Sequence, residues 1–134
     1  MISTDDWAQI NDVMARYCWA TDEGDGAAYA ALWTEDGELS GIAAQPLKGP
    51  EQLAGMANGA RGMGMRHLYS NMVCDYADGD RDQVRARFYN QVSLYGEASG
   101  ILGMALCNAI FVRQGGQWKI KSNNVNLLTP KPPG

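Results

Sequence analysis

Polar and apolar residues follow two different periods along the chain. In the first part, Trp7, Ile10, Met14, Tyr17 and Cys18 recur at steps of three and four, which predicts an amphipathic helix running to about Thr21. Ser3 or Thr4 can cap it, and Asp5 and Asp6 sit at its positive end. Gly24-Asp25-Gly26 breaks the pattern, and Asp25 can cap a second short helix, Ala27 to Trp33. Thr34-Glu35-Asp36-Gly37 has the composition of a turn, with a short strand after it around Glu38–Ala43. Pro46 to Lys48 leads into Gly49-Pro50-Glu51, where proline suits a first helical position. A third helix, Glu51 to about Ala60, follows and ends among Gly59, Gly62 and Gly64.

After Met65 the period changes to two. His67–Tyr76 reads as a strand and Ala77-Asp78-Gly79-Asp80 as a turn. In Val84–Tyr95, Val84, Ala86, Phe88, Asn90, Val92 and Leu94 alternate with Arg85, Arg87, Tyr89, Gln91 and Ser93. That is a long strand with one buried and one wet face. Ile101–Arg113 is almost continuously apolar, as in the middle of a sheet or at a subunit interface. Gln114-Gly115-Gly116-Gln117 is a hairpin turn, and Trp118–Leu128 is the last strand. Pro130, Pro132 and Pro133 predict an extended tail. Helices first and antiparallel strands afterwards predict an α+β domain, not a doubly wound sheet. No glycine-rich loop joins a strand to a helix as a nucleotide fold requires.

At 134 residues the chain has the length of one domain, and its 46% hydrophobic and 19% charged residues are an ordinary globular mix. The net charge of −4 offers no electrostatic footprint for nucleic acid or an anionic membrane. No apolar run approaches the roughly 20 residues of a membrane span. The acidic start, Met1-Ile2-Ser3-Thr4-Asp5-Asp6, is unlike a signal peptide, so a cytoplasmic location is expected. Cys18, Cys74 and Cys107 have no C-x-x-C spacing and read as buried thiols of a reducing compartment. With a single histidine, His67, there is no ligand set for a metal, and none is expected.

That histidine is the one imidazole available for acid–base work near neutral pH. It stands where the glycine-rich segment enters a strand; a lone histidine at the rim of a core is the alternative. Tyr17 and Asp22 fall near the end of the first helix. Five residues turn a helix through about 500°, leaving them some 140° apart. They converge only if the helix unwinds near Asp22, which Gly24 and Gly26 allow; otherwise Tyr17 is core and Asp22 is surface. The inward face of the long strands offers Phe88, Asn90, Ala105 and Cys107, joined by Trp33 and methionines from the helices. These line a cavity or fill a core.

The segments Ile10-Asn11-Asp12-Val13-Met14-Ala15-Arg16-Tyr17, Ala20-Thr21-Asp22-Glu23-Gly24-Asp25, Leu32-Trp33-Thr34-Glu35-Asp36-Gly37, Lys48-Gly49-Pro50-Glu51, His67-Leu68-Tyr69-Ser70-Asn71 and Gly116-Gln117-Trp118-Lys119-Ile120 together resemble the SnoaL-like branch of the nuclear transport factor 2-like superfamily. The resemblance covers nearly the whole chain. It implies a cone of three helices in a strongly curved mixed sheet, the cystatin-like fold, with the active site inside.

Within that superfamily the chain is most similar to the lyases of the scytalone dehydratase, bile acid 7α-dehydratase and hexachlorocyclohexane dehydrochlorinase type. Their Asp–His dyad falls on Asp22 and His67, and the catalytic tyrosine of the bile acid enzyme falls on Tyr17. Lys48-Gly49-Pro50-Glu51 and Asn126-Leu127-Leu128-Thr129-Pro130 are closest to the dehydrochlorinase, but its last-strand arginine is replaced here by Asn123. The second pocket histidine and the Ser/Asn pair of scytalone dehydratase fall on Phe88, Ala105 and Cys107, so that polar anchoring is missing.

The resemblance implies a cofactor-free lyase acting on a small alicyclic or aromatic substrate. Its catalytic residues are His67, Asp22 and Tyr17, and Trp33, Phe88, Asn90, Cys107 and Asn123 contact the substrate. An isomerase, a cyclase, a retro-aldol lyase and a non-catalytic ligand carrier are the alternatives on this scaffold. Ile101–Ala109 is apolar on both faces and the relatives suggest a homo-oligomer: a trimer first, a dimer second.

Overall fold

The computed structural model describes residues 1–96 and 100–128. Its elements are α1 (Thr4–Glu23), α2 (Gly26–Ala30), β1 (Trp33–Ser40), β2 (Leu47–Lys48), α3 (Gly49–Gly59), β3 (Met65–Ala77), β4 (Asp80–Leu94), β5 (Gly100–Gln114) and β6 (Gln117–Leu127). The strands form one sheet in the order β2-β1-β6-β5-β4-β3. Every neighbouring pair is antiparallel except β1 and β6, which run parallel. The class is α+β, with a curved six-stranded sheet and the helices at the N-terminal end of the chain.

Irregularities in the ladders explain how such long strands bend. Register shifts place an extra residue in β3 between Ser70 and Val73, in β5 between Ile101 and Gly103, opposite Val92 and Ser93 of β4, and in β6 between Ile120 and Ser122, opposite Ile110 and Phe111 of β5. An extra residue at each bends its strand and increases the local twist. Asn71, at the first of them, takes a left-handed conformation with φ 57°. The helices fill the concave side, where Ile10, Met14, Tyr29, Leu53, Phe88 and Phe111 are fully buried. Each such side chain removed from water contributes roughly 1.5–3 kcal/mol.

The differences from the sequence-based expectation are local. The second helix stops at Ala30, and Trp33 opens a strand. Thr34–Gly37 is not a free turn but part of that strand. Trp33 pairs with Ile120, and the Ile120 N–H donates to the Leu32 carbonyl at 2.9 Å. Between the Trp33–Ile120 and Glu38–Ser122 pairs the register slips, so Thr34–Gly37 bulges without partners on β6 and its polar side chains are absorbed locally, the Thr34 hydroxyl donating to Asp36 at 2.8 Å. The strand ends at Ser40, short of Ala43. The two-residue β2, an edge addition to β1, leaves no hydrophobic pattern to read. Ser93 is buried, not wet, and its hydroxyl accepts from Gln91 Nε2 at 3.3 Å. The predicted extended tail at Pro130, Pro132 and Pro133 lies outside the described residues.

The N-terminus is tied to the last hairpin. Ser3 caps α1 by accepting from the Asp6 N–H at 3.1 Å. The Asp6 carboxylate is buried and accepts from Arg113 Nη1 at 2.9 Å, from Trp118 Nε1 at 3.1 Å and from the Tyr76 hydroxyl. Burial alone would raise the Asp6 pKa, but the hydrogen bonds from Tyr76, Trp118 and Arg113 outweigh it and bring it down to about 2.

Candidate active site

The end of α1 sets the geometry. The helix stays regular through Glu23 and stops at Gly24, whose φ of 69° lies in the left-handed region and whose N–H closes the last turn on Ala20 and Thr21. The unwinding that would bring Tyr17 and Asp22 together does not occur. Gly24 serves a different purpose. A Cβ on it would overlap the backbone and Cβ of Arg61, so only glycine lets the segment after α3 pack this closely. Arg61 secures the contact by donating to the Gly24 carbonyl at 2.9 and 3.3 Å. From there the chain enters β3 beside the last turn of α1.

This entry delivers His67 to Asp22. Asp22 Oδ1 lies 2.6 Å from His67 Nδ1, and the same carboxylate accepts the His67 backbone N–H at 3.0 and 3.1 Å. The two side chains are 6% and 14% exposed. Backbone and ring are therefore oriented by one anion. With Nδ1–H donated to Asp22, the neutral ring keeps Nε2 as its free acceptor.

His67 forms part of the wall of a cavity of about 280 Å³, and Asp22 stands behind it. Tyr17, Thr21 and Asn90 are the other polar members of that wall. Burial pushes the Tyr17 phenol up to about 12, so at neutral pH it is a hydroxyl that donates rather than a phenolate. Its oxygen accepts from Asn123 Nδ2 at 3.3 Å. Tyr17 and Asp22 thus leave an intact helix in different directions, Tyr17 and the Asp22-bound imidazole both forming part of the cavity wall.

Of the five residues expected to contact substrate, only Asn90 is part of this wall. Trp33 packs behind Tyr17 in an aromatic cluster with Tyr29, its ring 6.3 Å from that of Tyr17. Phe88 stands edge-on to Tyr69. Cys107 and Asn123 are fully buried in the layer supporting the wall. Leu39, Met56, Val92, Ala105 and Val125 line the cavity instead, with Ile42 and Leu102 at exposed positions. Their sequence signal is apolar character alone. They come together through the parallel β1–β6 pairing and the packing of α3 on β1, which no local pattern announces.

Cys18, Cys74 and Cys107 are all buried free thiols. Burial pushes them up to about 12, 11 and 12 respectively, so they stay protonated and packed. Among the described residues no group of three or more His, Cys, Asp or Glu side chains could hold a metal ion, and no helix is long and apolar enough to cross a membrane.

A family model for the SnoaL-like domain matches residues 3–124, and the chain belongs to that family, whose members include polyketide cyclases and dehydratases. No curated protein sequence matches it. Among solved structures, an aspartate-to-asparagine variant of Rv3472, a protein of unknown function from Mycobacterium tuberculosis, is 27% identical, with a TM-score of 0.82 over 91% of this chain and 71% of that one. A nuclear transport factor 2-like protein with a cystatin-like fold from Novosphingobium aromaticivorans is 23% identical, with a TM-score of 0.84 over 95% and 84%. A protein of the same organism provisionally named a scytalone dehydratase is 22% identical, with a TM-score of 0.81 over 92% and 85%.

Proposed function

We propose that the protein is a cofactor-free lyase that eliminates water from a small alicyclic or aromatic molecule. The observation that carries this reading is the 2.6 Å contact of His67 Nδ1 with Asp22 at the wall of a mainly apolar cavity. His67 Nε2 takes a proton from a carbon next to an activating group, and Asp22 stabilises the imidazolium. The C–H electron pair becomes the new double bond. The hydroxyl on the neighbouring carbon leaves while accepting a hydrogen bond from Tyr17, and the imidazolium proton completes the water. Apolar walls keep bulk water from competing for the base.

The test is a panel of neutral hydroxylated ring ketones incubated with the protein and followed by mass spectrometry for loss of water. The wild type should convert at least one of them, and His67→Ala should lower that rate by about 10²–10⁴-fold while its far-UV spectrum and melting curve stay close to wild type. Equal turnover by His67→Ala and wild type would overturn the mechanism. We also propose that the chain works as a homo-oligomer, a trimer in preference to a dimer. Ile101, Leu102 and Met104 are 71%, 59% and 39% exposed on β5, and contiguous exposed apolar surface marks an interface.

A further inference from the structure

Asn123 is a fully buried amide on β6, and its Cα pairs with Leu39 on β1 and Ala109 on β5. It is not part of the cavity wall, so a ligand there meets Tyr17 and not Asn123. A carboxamide offers two donor hydrogens and an acceptor oxygen. Among the described residues this one makes a single side-chain hydrogen bond: Nδ2 donates to the Tyr17 hydroxyl oxygen at 3.3 Å, while Oδ1 has no partner. A half-satisfied buried amide is costly to keep. The polar character of Asn123 converges on one atom, the phenol oxygen of Tyr17.

That bond acts on the hydroxyl in two ways. A phenol carries one proton and accepts through its lone pairs, so with Asn123 donating to the oxygen, the proton is turned away from β6. Tyr29, whose ring centroid lies 5.1 Å from that of Tyr17, does not take it, since the Tyr29 hydroxyl oxygen has no partner. Thr21 bonds the Tyr17 backbone carbonyl and not its side chain. The proton is left for an acceptor in the cavity whose wall Tyr17 helps to form. A donor on the oxygen also favours the negative charge that grows there as the proton is shared. It thereby works against the burial that pushes this phenol up.

We propose that Asn123 is a positioning residue that acts through Tyr17: its Nδ2–H sets the direction of the Tyr17 hydroxyl and strengthens it as the donor to the departing group. The proposal rests on the lyase reading for the task of Tyr17 and adds the residue that prepares Tyr17 for it. Asn123 itself touches neither the ligand nor the imidazole.

The deciding experiment reads the phenol itself and needs no turnover. A ring-difluorinated tyrosine, whose fluorines make the phenol more acidic, is incorporated at position 17 alone, and fluorine NMR follows its ionisation with pH. In Asn123→Leu the phenolate loses its donor, so the acidity constant should fall about ten- to a hundredfold. Cys107→Val, an exchange in the same buried layer that removes no hydrogen bond to Tyr17, should leave it unchanged. The titratable neighbours Tyr29, Cys107 and Cys18 are each pushed upward by burial and stay uncharged through the titration, and Asp22 and His67 are common to every variant. Unchanged acidity in Asn123→Leu would overturn the proposal. Stronger acidity would overturn it too, since the amide would then be accepting the phenol proton, and an equal shift in Cys107→Val would trace the effect to packing instead. Should Asn123→Leu fail to fold, Asn123→Ala is judged by the same criteria. On any ring ketone that the wild type dehydrates, Asn123→Leu should lower kcat about tenfold and leave KM nearly unchanged; a raised KM at unchanged kcat would make Asn123 a binding residue and overturn the proposal. If the wild type dehydrates none, the lyase reading fails, and the fluorine titration still decides the role of Asn123.

Discussion

Replacing Asp6 by asparagine keeps the shape of the buried carboxylate and removes its charge. In the native protein Asp6 is held at a pKa of about 2 against an ordinary 3.8, because Tyr76, Trp118 and Arg113 donate to it. At 1.36 kcal/mol per unit this is worth about 2 kcal/mol. Arg113 is 29% exposed and also bonded to Asp82 at 2.9 Å, so solvent screening lowers the figure to about 1–2 kcal/mol. The sign follows from the direction of the shift. A carboxyl group whose folded pKa is depressed contributes its full stabilisation above about pH 4 and loses it as the pH falls toward 2. Thermal melts of wild type and Asp6→Asn at several pH values test this. Near neutrality the variant should melt about 5 °C lower, and the gap should shrink below pH 4 and close near pH 2. An equal gap at pH 7 and pH 2, or none at pH 7, would refute the assignment of this stabilisation to the Asp6 charge.

Asp22→Asn should cut turnover by about 10²-fold or more, since the amide cannot neutralise the imidazolium; an undiminished rate would make Asp22 merely the acceptor for the His67 backbone. Gly24→Ala places a side chain at φ 69° and against Arg61. It should cost about 1–2 kcal/mol from backbone strain alone and depress turnover as well, and unchanged melting and rate would show that this contact does not set the site. Light scattering at micromolar concentration should show a species several times the 14.6 kDa chain mass, three times for a trimer, and a monomer would contradict the proposed association through β5.

Much of the fold is legible because the switch from period 3.6 to period 2 after Met65 is sharp. The limits of α1 and the four long strands lie within a few residues of the pattern. The strand that contains Thr34–Gly37 is not legible, since the pairings that define it, of Trp33 and Glu38 with β6, flank the turn-like segment and join it to residues far away in sequence. The nearness of Asp22 and His67 is likewise invisible to spacing, as 45 residues separate them; the family resemblance suggested it. Alternation tells which residues of β4 and β5 face inward. It does not tell whether an inward residue meets empty space or another side chain. That is why Phe88 and Cys107 look identical in kind to Asn90 in the sequence, yet only Asn90 reaches the cavity wall.

The parallel pairing of β1 with β6 has a consequence for biosynthesis. β1 is complete at Ser40, but its partner begins only at Gln117, about 80 residues later. At ~5–20 residues per second, one edge of β1 waits roughly 4–16 s on the ribosome before the strand that covers it is made. Trp118, which closes the Asp6 knot on α1, emerges in the same final hairpin. The nascent chain therefore cannot seal its cone gradually. Closure depends on β6, so a stall or truncation before it leaves a helix-lined apolar groove and an open strand edge exposed, the kind of surface that chaperones bind and other nascent chains pair with.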